Sequence, residues 1–288
     1  MSHCSYPTLC RSVGADADSL LGEAGIDTLR GGDVNSTVDG CADADLINGD
    51  AGNDSLLGAG GAYVSSGDAG DDVISGGDGA DSIIGGADAD SLLGDAGIDT
   101  LSGGDGNDTV DGGADADLID GDAGNDSLLG AAGADLITGG AGDDTIDGGA
   151  DDDFLVGDGD AAGEGTGNDV IFGGAGADVL QGDAGNDSLA GGDDNDVLTG
   201  GVGDDTLDGG DGTDIANFSD ATAGLAIDVV GGAAVGEGND QIASIETFLL
   251  GTGDDTVAGG ATDEQFFGGA GDDTVNAGAG DDQLIGDV

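Results

Sequence analysis

Gly103–Asp111 reads GGDGNDTVD, and the same nine residues return with small edits as GGAGDDTID at Gly139–Asp147 and GGVGDDTLD at Gly200–Asp208. The frame starts at Val13 and holds without a gap through Val156, sixteen repeats in all. With its aspartate numbered as position 6, the pattern is G-G-x-G-x-D-x-U-x, where U is Leu, Ile or Val. Position 8 carries Leu20, Leu29, Val38, Ile47, Leu56, Ile74, Ile83, Leu92, Leu101, Val110, Ile119, Leu128, Ile137, Ile146 and Leu155. A seventeenth repeat opens at Gly157-Asp158, is interrupted by Gly159–Gly165 and resumes at Thr166–Phe172. Five clean repeats then fill Gly173–Asn217.

These boundaries suggest four segments: a non-repetitive leader (1–12), a repeat block (13–217), a connecting or capping module that breaks the frame (218–249), and a short second block (250–288). The second block holds four looser repeats to Ile285 and stops in the middle of another, which favours a fragment or a shortened relative. A longer period lies over the short one. Gly14–Tyr63 and Gly86–Asp135 are offset by 72 residues and agree at 42 of 50 positions. Where they differ, the first copy has usually lost the motif: Ser36 stands against Asp108, Cys41 against Gly113 and Tyr63 against Asp135. Solenoids accept insertion of whole units in register because each unit touches only its neighbours.

The composition narrows the partners. Among 288 residues there are 67 Gly, one Pro and 63 acids; the only basic side chains besides His3 are Arg11 and Arg30, and the formal charge is −61. Such self-repulsion opposes a compact state, yet 37% of residues are apolar and regularly placed. The combination describes a chain that is disordered until something cancels its charge. Nucleic acid and anionic membranes call for basic patches, so both are poor partners; no nucleic-acid binding and no membrane insertion are expected. A divalent cation is indicated. No apolar run is long enough to span a membrane, and Met1–Ser12 lacks the charged start and apolar centre of a signal peptide. Cys4, Cys10 and Cys41 are odd in number, so at least one thiol is unpaired or intermolecular. With a single His in the leader, no Ser-His or Cys-His relay can be built in the body, and the periodic, equivalent acids do not form a glycosidase pair; an enzyme is not expected.

Within each repeat, positions 7–9 read as a short strand with one inward apolar residue, and positions 1–6 as a glycine-rich turn. Position 4 departs from Gly mostly to Asp (Asp16, Asp43, Asp88, Asp115, Asp151), a residue that tolerates left-handed backbone. Two repeats make one 18-residue coil, and coils stack at the parallel-strand spacing of roughly 4.8 Å. The position-6 residues then fall in two columns. One holds Asp18, Ser36, Asp54, Asp72, Asp90, Asp108, Asp126, Asp144, Asp169, Asp187 and Asp205; the other holds Asp27, Asp45, Tyr63, Asp81, Asp99, Asp117, Asp135, Asp153, Asp178, Asp196 and Asp214. Like charges that close do not persist unpaired. Carboxylates plus backbone carbonyls, without sulfur or imidazole, are the hard oxygen donors that suit Ca²⁺.

The frame resembles the haemolysin-type calcium-binding nonapeptide of RTX proteins, and the resemblance covers roughly four fifths of the chain. It implies an all-β fold, a parallel β-roll (β-solenoid) of 18-residue coils, right-handed, with ions held between turns of adjacent coils. It also implies a secreted or cell-surface location and export by a type I system. Carried over to this sequence, the aspartates of both columns become side-chain ligands, as do Asp255, Asp273 and Asp282 of the last block. Ser36 and Tyr63 depart from the pattern and should each spoil the sites above and below; Glu264 replaces the Asp of its turn. The expected load is about 15 ions in the first block and about two beyond it. The residues NFSDATAGLAIDVVGG and GNDQIASIETFLLGTGDDTVAG resemble a module that joins β-roll blocks in large secreted bacterial proteins. There, Leu225–Val229 alternates as a strand, and Ile242, Ile245, Phe248 and Leu250 are placed to cap or continue the core. Two roles follow: a folding, export and structural module of a larger polypeptide, or a free-standing surface component, adhesin or surface-layer protein that self-associates.

Overall fold

The computed structural model describes the backbone of residues 2–3 and 9–11, and residues 17–159, 166–236 and 238–286 in full. Cys4, Asp16, most of the Gly159–Gly165 insertion and the side chains of His3 and Cys10 lie outside the described residues. Among the described residues every regular element is a β-strand. No helix is long and apolar enough to cross a membrane. The chain divides into two units, Met1–Gly148 and Gly149–Val288.

The first unit is a parallel β-solenoid. The strand Thr109–Ala114 pairs in parallel with Ser91–Ala96 on one side and Ser127–Ala132 on the other, through Ser91↔Thr109 and Thr109↔Ser127. The intervening strands Thr100–Asp105 and Leu118–Ala123 pair with each other in a second sheet, through Thr100↔Leu118. Every such offset is 18 residues, so two nonapeptides make one coil and each coil lies in register on the next. The strands are longer than the three residues the sequence suggests. From Val73 onward most run for six, covering positions 7–9 and 1–3 of the next repeat. Position 1 drops out of the register, for Ile84↔Ser102 is followed by Gly86↔Gly104, but pairing resumes at position 2. The turn proper is only positions 4–6.

Position 8 forms the core. Val110 is 1% exposed, Ile119 0% and Leu128 2%. Their strand neighbours point outward, which is the period of two that a sheet imposes. Ser65 occupies a position-8 place that the sequence pattern leaves without an aliphatic residue, and it sits two residues after Tyr63. Both are buried. The Tyr63 ring lies across Gly58, as the aspartates elsewhere lie across their position-1 glycines. Burial pushes the phenol pKa up, with Ser65 working against the shift.

The turns depend on left-handed backbone. Gly124 has φ +146°, and a Cβ there would run into the Gly106 carbonyl of the previous coil. Asp88 and Asp115 hold position 4 at φ 78° and 76°, as the sequence suggests. Position 2 is also left-handed, and Asp50, Asp68, Asp95 and Asp122 serve there with φ between 68° and 75°.

The second unit repeats this architecture by itself. Val170–Ala175 pairs with Ser188–Asp193, and Val179–Ala184 with Val197–Val202. Phe154↔Val179 is offset by 25 residues, the seven beyond 18 being the Gly159–Gly165 insertion. The frame-breaking segment makes an antiparallel excursion: Ala226–Asp228 pairs with Ala233–Val235, and that with Asn239–Ala243. Asn239–Ala243 then lies parallel on Thr206–Asp211, and Thr247–Leu249 parallel on Ile215–Asn217. Ile242, Ile245, Phe248 and Leu250 are buried, and the Phe248 and Phe266 rings stack with centroids 5.3 Å apart. The segment therefore continues the core as its alternation suggests.

Adjacent residues of one strand should respond oppositely to truncation. Ile119→Ala, at a fully buried position, is expected to cost about 2–5 kcal/mol. Leu118→Ala, whose side chain is 44% exposed, should change stability by no more than about 0.5 kcal/mol. Denaturant melts at fixed free calcium measure both; equal effects would contradict the assignment of faces.

Candidate metal centre

The position-6 aspartates fold inward over their own turns. From Asp27 to Asp214 every one of those present is buried; Asp18, Asp273 and Asp282 are half-buried, and Asp255 is buried. Each carboxylate has two unlike oxygens. Oδ1 accepts the backbone N–H of the position-6 residue one coil earlier: Asp90 N–H donates to Asp108 at 2.7 Å, and Asp108 N–H donates to Asp126 at 2.7 Å. The same bond recurs from Asp27 to Asp45 and, in the second unit, from Asp178 to Asp196 and Asp196 to Asp214. Oδ2 is buried and accepts no hydrogen bond from the protein in Asp54, Asp72, Asp81, Asp90, Asp99, Asp108, Asp117, Asp126, Asp187, Asp196 and Asp214.

These Oδ2 atoms aim at a shared kind of cradle. The place a Cβ on Gly103 would take lies 2.5 Å from Asp108 Oδ2 and 2.8 Å from the Gly121 carbonyl oxygen of the next coil. Gly49 has Asp54 Oδ2 at 2.5 Å and the Gly67 carbonyl at 2.7 Å; Gly182 has Asp187 Oδ2 at 2.5 Å and the Gly200 carbonyl at 2.7 Å. Each cradle brings one carboxylate oxygen and one peptide oxygen together without a donor hydrogen. A hard divalent cation satisfies such a donor set, and calcium accepts it with least demand on geometry. Among the described residues no three His, Cys, Asp or Glu side chains converge on a point. The arrangement is one carboxylate per turn, with the remaining oxygens left to the backbone.

Two other sets of polar side chains show what a purely structural acceptor looks like here. At position 2, Asp68 accepts from Asn48 Nδ2 at 2.9 Å, Asp95 from Ser75 Oγ at 2.7 Å, and Asp50 from the Arg30 guanidinium. At position 5 the side-chain oxygen accepts the N–H of the next coil, as Asn107 does from Asn125 at 3.0 Å and Asn186 from Asp204 at 2.8 Å. In the first unit this stitching belongs to one edge, because the other edge carries Ile26, Ala44, Ala62, Ala80, Ile98, Ala116 and Ala134 at position 5. These side chains at positions 2 and 5 find donors within the protein; Oδ2 of position-6 acids such as Asp99 and Asp108 does not.

Burial holds several of the position-6 acids well above the carboxylate range. Asp90 and Asp117 are pushed up to about 7, as are Asp187 and Asp196; Asp72, Asp99 and Asp126 are raised to about 6. Removal from water is the largest cause; the N–H bond to Oδ1 opposes it, and neighbouring aspartates add to it. Asp108 itself is raised by removal from water, with the Asp90 N–H bond opposing the shift and Asp122 adding to it.

The structure departs from the pattern where the sequence does. Ser36 N–H donates to Asp54 at 2.6 Å, but its hydroxyl turns to the Val34 carbonyl at 2.9 Å, so it offers no carboxylate to the turn before it. Tyr63 N–H likewise donates to Asp81. Beyond Asn217, acids outside the repeat frame take up position-6 places. Asp240 accepts from Asp205 N–H at 3.2 Å, and Glu246 Oε2 from Asp214 N–H at 3.0 Å. Glu264 is 1% exposed, its Oε2 accepts no hydrogen bond, and its N–H donates to Asp282 at 3.1 Å. Sequence reasoning passes over both: Asp240 closes a repeat-like motif, Gly236-Glu237-Gly238-Asn239-Asp240, set inside the frame-breaking segment, and Glu246 follows Ser244-Ile245 with no glycine turn before it.

A parallel β-solenoid with buried, repeating oxygen-donor turns belongs to the class of cation-binding β-rolls. RTX calcium-binding nonapeptide repeats match residues 12–33, 30–64, 66–101, 93–128, 129–161, 165–198, 181–216 and 259–288, and the chain belongs to that family. No curated protein matches the chain.

The raised pKa values fix the sign of the pH dependence without metal. Between pH ~4 and ~7 the folded chain holds protons that the unfolded chain has released. Folding stability from these groups is therefore fully present below the unfolded value and is lost as pH rises through about 6–7. In chelator, β-sheet circular dichroism should grow as pH falls from 8 to 5. Calcium added at pH 6 should release protons into weak buffer. A chelated chain whose spectrum is flat over this range would contradict the burial of these carboxylates.

Proposed function

We propose that this chain is a calcium-binding structural β-roll that folds as calcium binds outside the cell. The observation that carries the reading is the column of buried carboxylates whose Oδ2 atoms face carbonyl-lined cradles and have no protein donor. The ligand side chains in this reading are the position-6 aspartates together with Asp255, Asp273 and Asp282, with about 15 ions in the long block and about two beyond it. In the sub-micromolar calcium of a bacterial cytosol the charge of −61 keeps the chain unfolded. At the roughly 10⁻⁴–10⁻³ M typical of extracellular calcium modules, ions bind only the folded state and stabilise it by mass action. The change of state at the membrane suits export of an unfolded chain by a type I system, as part of a secreted polypeptide or a surface component. The role needs no catalytic group.

Self-association is a narrower question, and the outward apolar residues bear on it. Leu46 and Val64 pair in register on one sheet of the first unit, with 48% and 47% of their surface exposed. Sedimentation at both calcium extremes distinguishes a surface-layer component from a monomeric module.

Circular dichroism against free calcium is the direct test of folding. The chain should be disordered in chelator at neutral pH and gain a β spectrum cooperatively on titration. Asp108→Asn removes a carboxylate shared by two turns and should raise the calcium midpoint. At free calcium ~100 times a site's Kd, each ion lost would cost about 2.7 kcal/mol. A β spectrum that survives chelation at pH 8 would refute calcium-linked folding.

A further inference from the structure

The frame-breaking segment around residues 218–249 lies outside the stretches that match the calcium-binding repeats, which cover 181–216 and then 259–288. Its fold nevertheless rebuilds one cradle. The register Leu207↔Ile242 and Asp208↔Ala243 makes Ser244 the counterpart of Gly209, the position-1 residue of the coil before. From there the two turns differ in length. The regular turn takes six residues, Gly209–Asp214, to reach its carboxylate; the segment takes three, Ser244-Ile245-Glu246. Both arrive at the same place, because Thr247 N–H donates to the Asp214 carbonyl at 2.9 Å, as Thr109 N–H does to Asp90 at 2.9 Å. Ser244 adopts φ 52°, which turns its peptide into the shortcut.

The donor set is complete in kind. A Cβ on Gly209 would meet Asp214 Oδ2 at 2.5 Å and the Ser244 carbonyl oxygen, the same pairing of carboxylate and next-coil carbonyl found at Gly103 and Gly182. Asp214 is 0% exposed and its Oδ2 accepts no hydrogen bond. Glu246 Oε2 accepts the Asp214 N–H at 3.0 Å, the bond that an aspartate makes in every regular coil. The extra methylene of glutamate compensates for a turn three residues shorter. We infer that Asp214, the Ser244 carbonyl and Glu246 form a calcium site, so that the cation ladder of the second unit runs on into the connecting segment instead of stopping at the last consensus repeat.

This site rests on the calcium-binding reading above, and its function is to tie the connecting segment to the coil it covers. The segment would then fold only when the repeats do. Ions bound to the calcium-saturated full chain can be counted by native mass spectrometry. Glu246→Gln should hold one ion fewer than the unaltered chain with the far-UV spectrum at saturating calcium unchanged. Glu246→Asp, which keeps the charge but retracts the carboxylate, should lose the same ion. Equal counts in all three proteins would overturn the site and leave the repeat sites standing. An unaltered chain that binds no calcium would overturn the broader reading. If a variant fails to fold, hydrogen exchange of the unaltered chain decides. Residues 239–249 should gain protection at the same calcium concentration as 188–214, and protection there that ignores calcium would overturn the inference.

Discussion

A regular coil buries two position-6 carboxylates, and in acids such as Asp90, Asp99, Asp108 and Asp117 the protein supplies a donor to only one of the two oxygens. Everything else in the fold is shaped around that deficit. Successive aspartates of a column stand one strand spacing apart. Two charges at about 5 Å in an effective dielectric of about 20 repel by about 3 kcal/mol. One N–H per carboxylate cannot offset this along a whole column. The structure meets it by leaving peptide carbonyls beside the bare oxygens, where a cation with an oxygen shell fits. The raised pKa values of Asp90, Asp117, Asp187 and Asp196 express the same deficit in protons.

The backbone makes this arrangement possible at a density that side chains alone could not. With coils stacked in register, the carbonyl of one position-4 residue faces the Cα of the next, as Gly106 faces Gly124. Absence of a Cβ there is a steric requirement. Absence of one at position 1 is different in kind, since that space receives the carboxylate. The two positions are both glycine, but one is empty for the neighbouring coil and the other for the carboxylate of its own turn.

Much of this was legible in order of sequence. The nine-residue period set the two sheets, the 18-residue coil and the position-8 core, and Val110, Ile119 and Leu128 lie where the pattern puts them. The two aspartate columns were legible as columns. Tyr63 was legible only as a departure. It is buried over Gly58, and Ser65, a small residue in a core position, is buried with it; that the two side chains share one interior shows only in the fold. The acids of the connecting segment were legible only in part. Asp240 ends a repeat-like Gly236-x-Gly238-x-Asp240 motif, but Glu246 has none, and the 35-residue and 32-residue separations from Asp205 and Asp214 are set by the excursion between them.

The sequence alone determined the repeat, the charge and the donor chemistry, because these are periodic and a short-range pattern carries them. Tertiary structure decided which acids are satisfied and which are bare. Asp95 and Asp99 are four residues apart, yet Asp95 finds the Ser75 hydroxyl and Asp99 leaves one oxygen without a donor. The difference lies in what the neighbouring coil presents to each. That is fixed by stacking at a distance of 18 or more residues, so it emerges only when the coils are in place.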